Sequence, residues 1–79
     1  MVKIAERLKA LRKEKRMRQS DVANLLGIGV RTYQYYEGDE HRPDYEMLIK
    51  LADLFDVSTD YLLGRSQERS VETRGRADT

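Results

Sequence analysis

Residues 19–36 read Gln19-Ser20-Asp21-Val22-Ala23-Asn24-Leu25-Leu26-Gly27-Ile28-Gly29-Val30-Arg31-Thr32-Tyr33-Gln34-Tyr35-Tyr36, and the punctuation of this stretch decides the fold. Val22, Ala23, Leu25 and Leu26 give residues 19–26 the apolar content of one short helix. Gly27 follows as a natural C′ residue, because a residue without a Cβ adopts φ > 0 freely. A second helix is predicted from Val30 to Glu37, ending at Gly38. Only Gly27, Ile28 and Gly29 separate the two helices, so the second must cross the first closely. A small residue, Ala23, stands where that approach is tightest. Two helices joined through a glycine in this way form the helix-turn-helix pattern.

The rest of the chain reads outward from this pair. Ile4, Leu8, Leu11 and Lys15 recur at i, i+4, i+7 and i+11, which predicts a first helix with its basic residues mostly off the apolar stripe. Met17 opens a short connection. A fourth helix is predicted to open at Pro43-Asp44, with the Asp44 carboxylate capping its first N–H groups and Leu48, Leu51, Ala52 and Phe55 as its core stripe. A short fifth helix begins at Ser58, a good N-cap, and stops at Gly64. No segment alternates with the period of a strand. The predicted architecture is an all-α, compact five-helix domain over residues 1–64. Residues 65–79 (RSQERSVETRGRADT) hold Val71 as their one aliphatic side chain larger than Ala, and are expected to form a flexible polar tail.

Composition narrows the functions available. A chain of 79 residues buries a thin core and has little room for a deep substrate cleft. With no cysteine there are no disulfides, thiolate metal sites or cysteine nucleophiles, and a reducing compartment fits. No apolar run exceeds three residues, so neither a membrane span nor a signal-peptide core is expected, and the expected location is cytoplasmic. The net charge of +1 conceals a division along the chain. Residues 1–18 carry eight Lys and Arg against Glu6 and Glu14, whereas residues 44–64 carry Lys50 against five carboxylates. Such asymmetry points to one anion-seeking end, although a solvated basic helix face would look the same.

Beyond the two central helices, Tyr36-Glu37, Arg42-Pro43 and the run LIKLADLFDVSTDYLLG (residues 48–64) resemble the lambda-repressor-like (Xre/Cro-type) DNA-binding domain family. The resemblance spans roughly residues 4–64. It includes Gln19 at the start of the second helix, Ala23 and Gly27 at the small positions, and a letter-for-letter Asp60–Gly64 ending. It departs at Arg18, where the family usually carries a Ser or Thr cap, and at Gly29, where Ser is frequent. It departs again at Tyr33, in place of a buried Ile or Val, whose hydroxyl must find a partner or reach solvent.

A helical wheel tests the third helix independently. With Tyr33 at 0°, Tyr36 falls at about 300°, and Gln34, Arg31 and Tyr35 at about 100°, 160° and 200°. Tyr33 and Tyr36 therefore face the domain, while Arg31, Gln34 and Tyr35 face outward, flanked by Val30 and Thr32. Outward Arg can donate to guanine and Gln can pair with adenine. The expected base contacts are Val30, Arg31, Gln34 and Tyr35. The expected phosphate contacts begin with Gln19, at a helix start whose free N–H groups and dipole attract anions. Arg18 and Thr32 join it, as does Arg42, which the resemblance alone implies. His41 is read as a solvated loop residue, the carboxylates at 53, 56 and 60 as solubilising or capping groups. No catalytic set, metal site or cofactor is expected.

The resemblance implies a sequence-specific DNA-binding transcriptional regulator, of repressor type. It would bind double-stranded DNA as a homodimer on a pseudo-palindromic operator, with the interface near Val57, Tyr61, Leu62 and Leu63. An antitoxin-type regulator, and a helical protein-interaction module without DNA binding, remain open as alternatives. So does a protein antagonist or toxin partner.

Overall fold

Ile4, Leu8 and Leu11 come round to one face of the first helix, and everything else in the domain packs against that face or its neighbours. The computed structural model describes residues 3–69. It contains α1 (Ile4–Glu14), α2 (Gln19–Leu26), α3 (Val30–Glu37), α4 (Tyr45–Phe55) and α5 (Thr59–Leu62), with no strand among the described residues. Leu8, Leu11, Val22, Ala23, Leu26, Tyr33, Leu51, Ala52, Phe55, Val57 and Leu62 form one continuous core. Helix α3 packs on both α1 and α2, α5 leans on α4 and α1, and α2 meets α4.

Local chemistry sets the helix ends. Gly27 takes φ 75°, the left-handed conformation that turns the chain, while its N–H and that of Ile28 satisfy the Asn24 and Ala23 carbonyls. Asp44 caps α4 by accepting the Met47 N–H at 2.9 Å, and Ser58 caps α5 by accepting the Tyr61 N–H at 2.9 Å. Helix α4 ends on Asp56 at φ 57°, a tolerable left-handed conformation for a short polar side chain that no glycine in the sequence announced.

Tyr33 is fully buried and is the largest of the completely enclosed side chains. Its ring meets Tyr36 edge-on, with centroids 6.3 Å apart and planes at 87°, so the inward pair read from the wheel is the pair that packs. The Tyr33 hydroxyl makes no hydrogen bond of good geometry, yet lies close enough to Glu37 to feel its charge. Burial first, and the Glu37 carboxylate second, push this phenol well above its ordinary titration range.

Two regions differ from expectation. Arg7, read as lying off the apolar stripe, is only 8% exposed, and its guanidinium sits 3.8 Å over the Tyr61 ring. A cation over an aromatic face keeps an electrostatic partner while losing water. The tail expected to begin at residue 65 does not leave the domain there. Ser58 N–H donates to the Arg69 carbonyl at 2.8 Å, and the Arg69 guanidinium reaches both Glu14 carboxylate oxygens at 2.9 and 3.0 Å. Residues 65–69 thus return over α5 to the end of α1; the remainder of the expected tail lies outside the described residues.

Candidate nucleic-acid interface

The exposed side of α3 is held in place by a polar chain that starts inside the protein. Arg12 occupies the i+4 position from Leu8, on the inward side of α1. Its Nε and Nη2 donate to the two Glu37 oxygens at 2.7 and 3.1 Å, and its Nη1 donates to the Met17 carbonyl at 2.9 Å. The two side chains are 13% and 3% exposed, so this fork-to-fork pair is nearly dry. Burial alone would raise the Glu37 carboxyl, but the hydrogen bonds from Arg12 and Gln19, with the Tyr33 phenol close by, outweigh it and hold the group below its ordinary value.

From Glu37 the chain passes to the surface. Gln19 Nε2 donates to Glu37 Oε1 at 3.2 Å, and Gln34 Nε2 donates to Gln19 Oε1 at 3.1 Å. A carboxylate can only accept, so the Gln19 amide must turn its nitrogen inward and its oxygen toward Gln34. That orientation fixes the next amide in turn. Gln34 keeps one N–H and its carbonyl oxygen free on the exposed side, the donor–acceptor pair that matches N7 and N6–H of adenine. The first turn of α2 and the middle of α3 are thereby locked in register.

The other expected contact residues surround this pair without joining it. Val30, Arg31, Thr32 and Arg42 are exposed, and their side chains make no hydrogen bond among the described residues. The Arg18 guanidinium lies on Asp21 at 3.2 Å while remaining 83% exposed, so a phosphate there would compete with Asp21. As the start of α2, Arg18 offers no acceptor to the helix. Instead Asp21 accepts the Arg18 N–H at 2.8 Å, leaving half of a reciprocal cap. That backbone bond, with the side-chain contact, holds the Asp21 carboxyl below its ordinary range. Tyr35 is half-buried because the His41 ring stacks on it, with centroids 4.9 Å apart and planes at 21°.

The basic surplus of residues 1–18 is partly consumed inside the domain. Lys3 pairs with Asp39, Arg12 with Glu37 and Arg18 with Asp21, while Arg7 packs on Tyr61. Lys9, Lys13, Lys15 and Arg16 stay exposed, outside any ion pair among the described residues. The sequence reading also missed the Arg12–Glu37 anchor, for which the signal was an arginine at a core-facing position of the first helix.

Two short helices set across a left-handed glycine turn, the second with an exposed polar face, define a helix-turn-helix domain. The helix-turn-helix family model matches residues 8–62, and this chain belongs to that family. It is 47% identical over 66 residues to the HTH-type transcriptional regulator AnsR of Bacillus subtilis (strain 168), covering 84% of this chain and 57% of that protein. Among solved structures it is similar to the P22 c2 repressor protein in complex with synthetic operator 9T, with TM-score 0.78 and 29% identity over 84% of this chain and all of that one. It is also similar to a transcriptional regulator from Listeria innocua, with TM-score 0.76 and 37% identity over 95% of this chain and 70% of that one. The chain spans about half the length of the curated relatives it matches.

Proposed function

We propose that this chain is a sequence-specific DNA-binding transcriptional regulator of repressor type that reads the major groove with α3. The observation that carries the reading is the Gln19–Gln34 pair, braced by the buried Arg12–Glu37 fork, which presets a base-reading amide beside the start of α2. Val30, Arg31, Gln34 and Tyr35 face the bases. Gln19, Arg18, Thr32 and Arg42 meet the phosphates, which position the domain without reading sequence. The protein acts in the cytoplasm by occupying DNA, not by catalysing a reaction.

One α3 of about two turns can read only a few base pairs, so a homodimer on a pseudo-palindrome supplies the needed discrimination, its two third helices about 34 Å apart. Val57 and Leu62, expected in the dimer interface, are buried in the core at 4% and 0% exposure. The reading therefore shifts outward, to a groove of about 360 Å³ lined by Tyr45, Leu48, Ile49, Thr59 and Leu63. Tyr45 at 76% exposure and Ile49 at 38% support it as the self-association face.

The test is selection of bound sites from random duplex, followed by titration of variants on the recovered site. Arg31→Ala is expected to relax preference at one base position at a cost of about 1–3 kcal/mol, and Gln34→Ala at a neighbouring position. Equal weakening on selected and random duplex would remove the base-reading role. Binding indifferent to salt would remove the phosphate contacts and leave the protein-interaction alternative.

A further inference from the structure

Glu37 lies behind the exposed face of α3, yet it decides which way the amides on that face point. Its carboxylate accepts Arg12 Nε at 2.7 Å, Arg12 Nη2 at 3.1 Å and Gln19 Nε2 at 3.2 Å. Tyr33, one helical turn earlier on the same side of α3, brings its hydroxyl close to the same group. All three neighbours are donors. The Glu37 side chain is 3% exposed, so bulk water does not compete with them for its oxygens.

Direction then passes outward. A guanidinium only donates and a carboxylate only accepts, whereas an amide does one at each end. Glu37 takes the Gln19 nitrogen and so leaves the Gln19 oxygen facing Gln34, whose Nε2 donates to it at 3.1 Å. Gln34 keeps one N–H and its oxygen for a ligand, the pattern that N7 and N6–H of adenine complement. Turning the Gln19 amide over would reverse the second contact. The Gln19 nitrogen would donate to the Gln34 oxygen, and both Gln34 N–H groups would face outward. Two donors match N7 and O6 of guanine. The same two glutamines thus hold the complement of either purine, and the choice between them is made behind the surface.

We propose that Glu37 is a specificity-determining positioning residue: by fixing the direction of the Gln19 and Gln34 amides, it makes α3 read adenine and not guanine. The proposal rests on the DNA-binding reading above. Glu37 itself touches neither base nor phosphate. A glutamine in its place keeps the shape but offers Gln19 a nitrogen as readily as an oxygen, and the imposed direction is lost.

The experiment uses the full chain and the duplex recovered by selection. The base pair at which Gln34→Ala relaxes preference is changed from A·T to G·C, and affinity for both duplexes is measured by fluorescence anisotropy at fixed pH and ionic strength. The readout is the ratio of the two affinities. Wild type should favour adenine by roughly tenfold or more, as a bidentate base contact does. Glu37→Gln, checked for folding by circular dichroism, should bring the ratio to within about threefold of one or turn it toward guanine. Weakening shared by both duplexes with the ratio kept is what a purely structural role produces, and overturns the proposal. Gln19→Leu leaves the Arg12–Glu37 fork whole and cuts the relay one step later. It should collapse the ratio as well, and a ratio kept in this variant overturns the proposal even where Glu37→Gln does not fold. A selected site without an A·T pair at the Gln34 position also overturns it, and leaves the DNA-binding reading standing. No salt-sensitive binding of wild type to any duplex overturns both.

Discussion

The α2–α3 pair and the α4–α5 pair begin their helices by opposite means. Helices α4 and α5 are closed by their own side chains, Asp44 and Ser58, each accepting the N–H three residues on. Helices α2 and α3 start at Arg18 and Gly29, and neither provides a side-chain acceptor. What replaces local capping in that half is tertiary: the Arg12–Glu37 fork, the Gln19 and Gln34 amides, and the enclosed Tyr33 ring. Each half thus draws its stability from a different range of contacts. The α4–α5 half follows the local capping rule at both helix starts, whereas the half with the candidate site departs from it and is held by a few long-range contacts. Such a half should be sensitive to single substitutions in its anchor and tolerant of changes at its open ends.

The largest effect should come from the anchor. Glu37→Ala leaves the Arg12 guanidinium nearly buried without its carboxylate, and is expected to destabilise the domain by about 2–4 kcal/mol, somewhat below a fully buried pair because Arg12 retains 13% exposure. Urea unfolding measures it. The same carboxyl predicts an acid limb. Its folded-state value lies below the ordinary 4.5, so its contribution is complete above that value and is lost as pH falls through the folded one. Wild type should therefore lose stability on acidification to about pH 3, and Glu37→Gln should lose less over the same interval. Identical acid limbs would place the acid sensitivity outside the Arg12–Glu37 fork.

A smaller effect is expected from the capped half. Asp44→Ala removes the acceptor for the Met47 N–H and should cost about 1 kcal/mol, with affinity for the selected duplex unchanged. A loss of affinity beyond that explained by unfolded protein would show that the α4 end is coupled to α3. Truncation after Gly64 comes next. It removes the Arg69 contacts, but Arg69 and Glu14 stay 47% and 53% exposed, so the thermal midpoint should fall by only roughly a few degrees.

These cases also mark what could be read from the chain alone. Helices α2 and α3 run between the residues that Gly27, Gly29 and Gly38 punctuate, and α4 and α5 start behind Asp44 and Ser58, because caps and turns act over a few neighbouring residues. Tyr33 and Tyr36 turn inward as the wheel requires, since periodicity records burial. The Arg12–Glu37 fork spans 25 residues and the Arg69–Glu14 pair spans 55, and counting charges along the chain carries no sign of which residues meet across such distances. Arg7 was hidden for a related reason: a guanidinium on an aromatic ring is buried without any hydrophobic signal. His41 read as a loop residue because its partner, Tyr35, became visible only once the turn folded back.

The smallest effect separates the two open helix starts from each other. Gly29 precedes α3 at φ −72° and ψ 151°, an extended conformation any residue adopts, and a Cβ placed there would meet nothing within 4 Å. Gly29→Ser should therefore fit without strain and supply the missing acceptor, raising stability by only a few tenths of a kcal/mol, since glycine is itself a fair N-cap. The thermal midpoint should rise by about one to two degrees. Affinity for the selected duplex should not change, because the proposed phosphate contact belongs to the α2 start at Gln19, and α3 reads through Arg31 and Gln34 farther along. A stabilised variant that binds as well as wild type would assign the open α3 end to incomplete capping and the α2 end to the ligand. A stabilised variant that binds more weakly would show that the phosphate-facing surface extends to Gly29, and the comparison would then have to treat both open ends as part of the site.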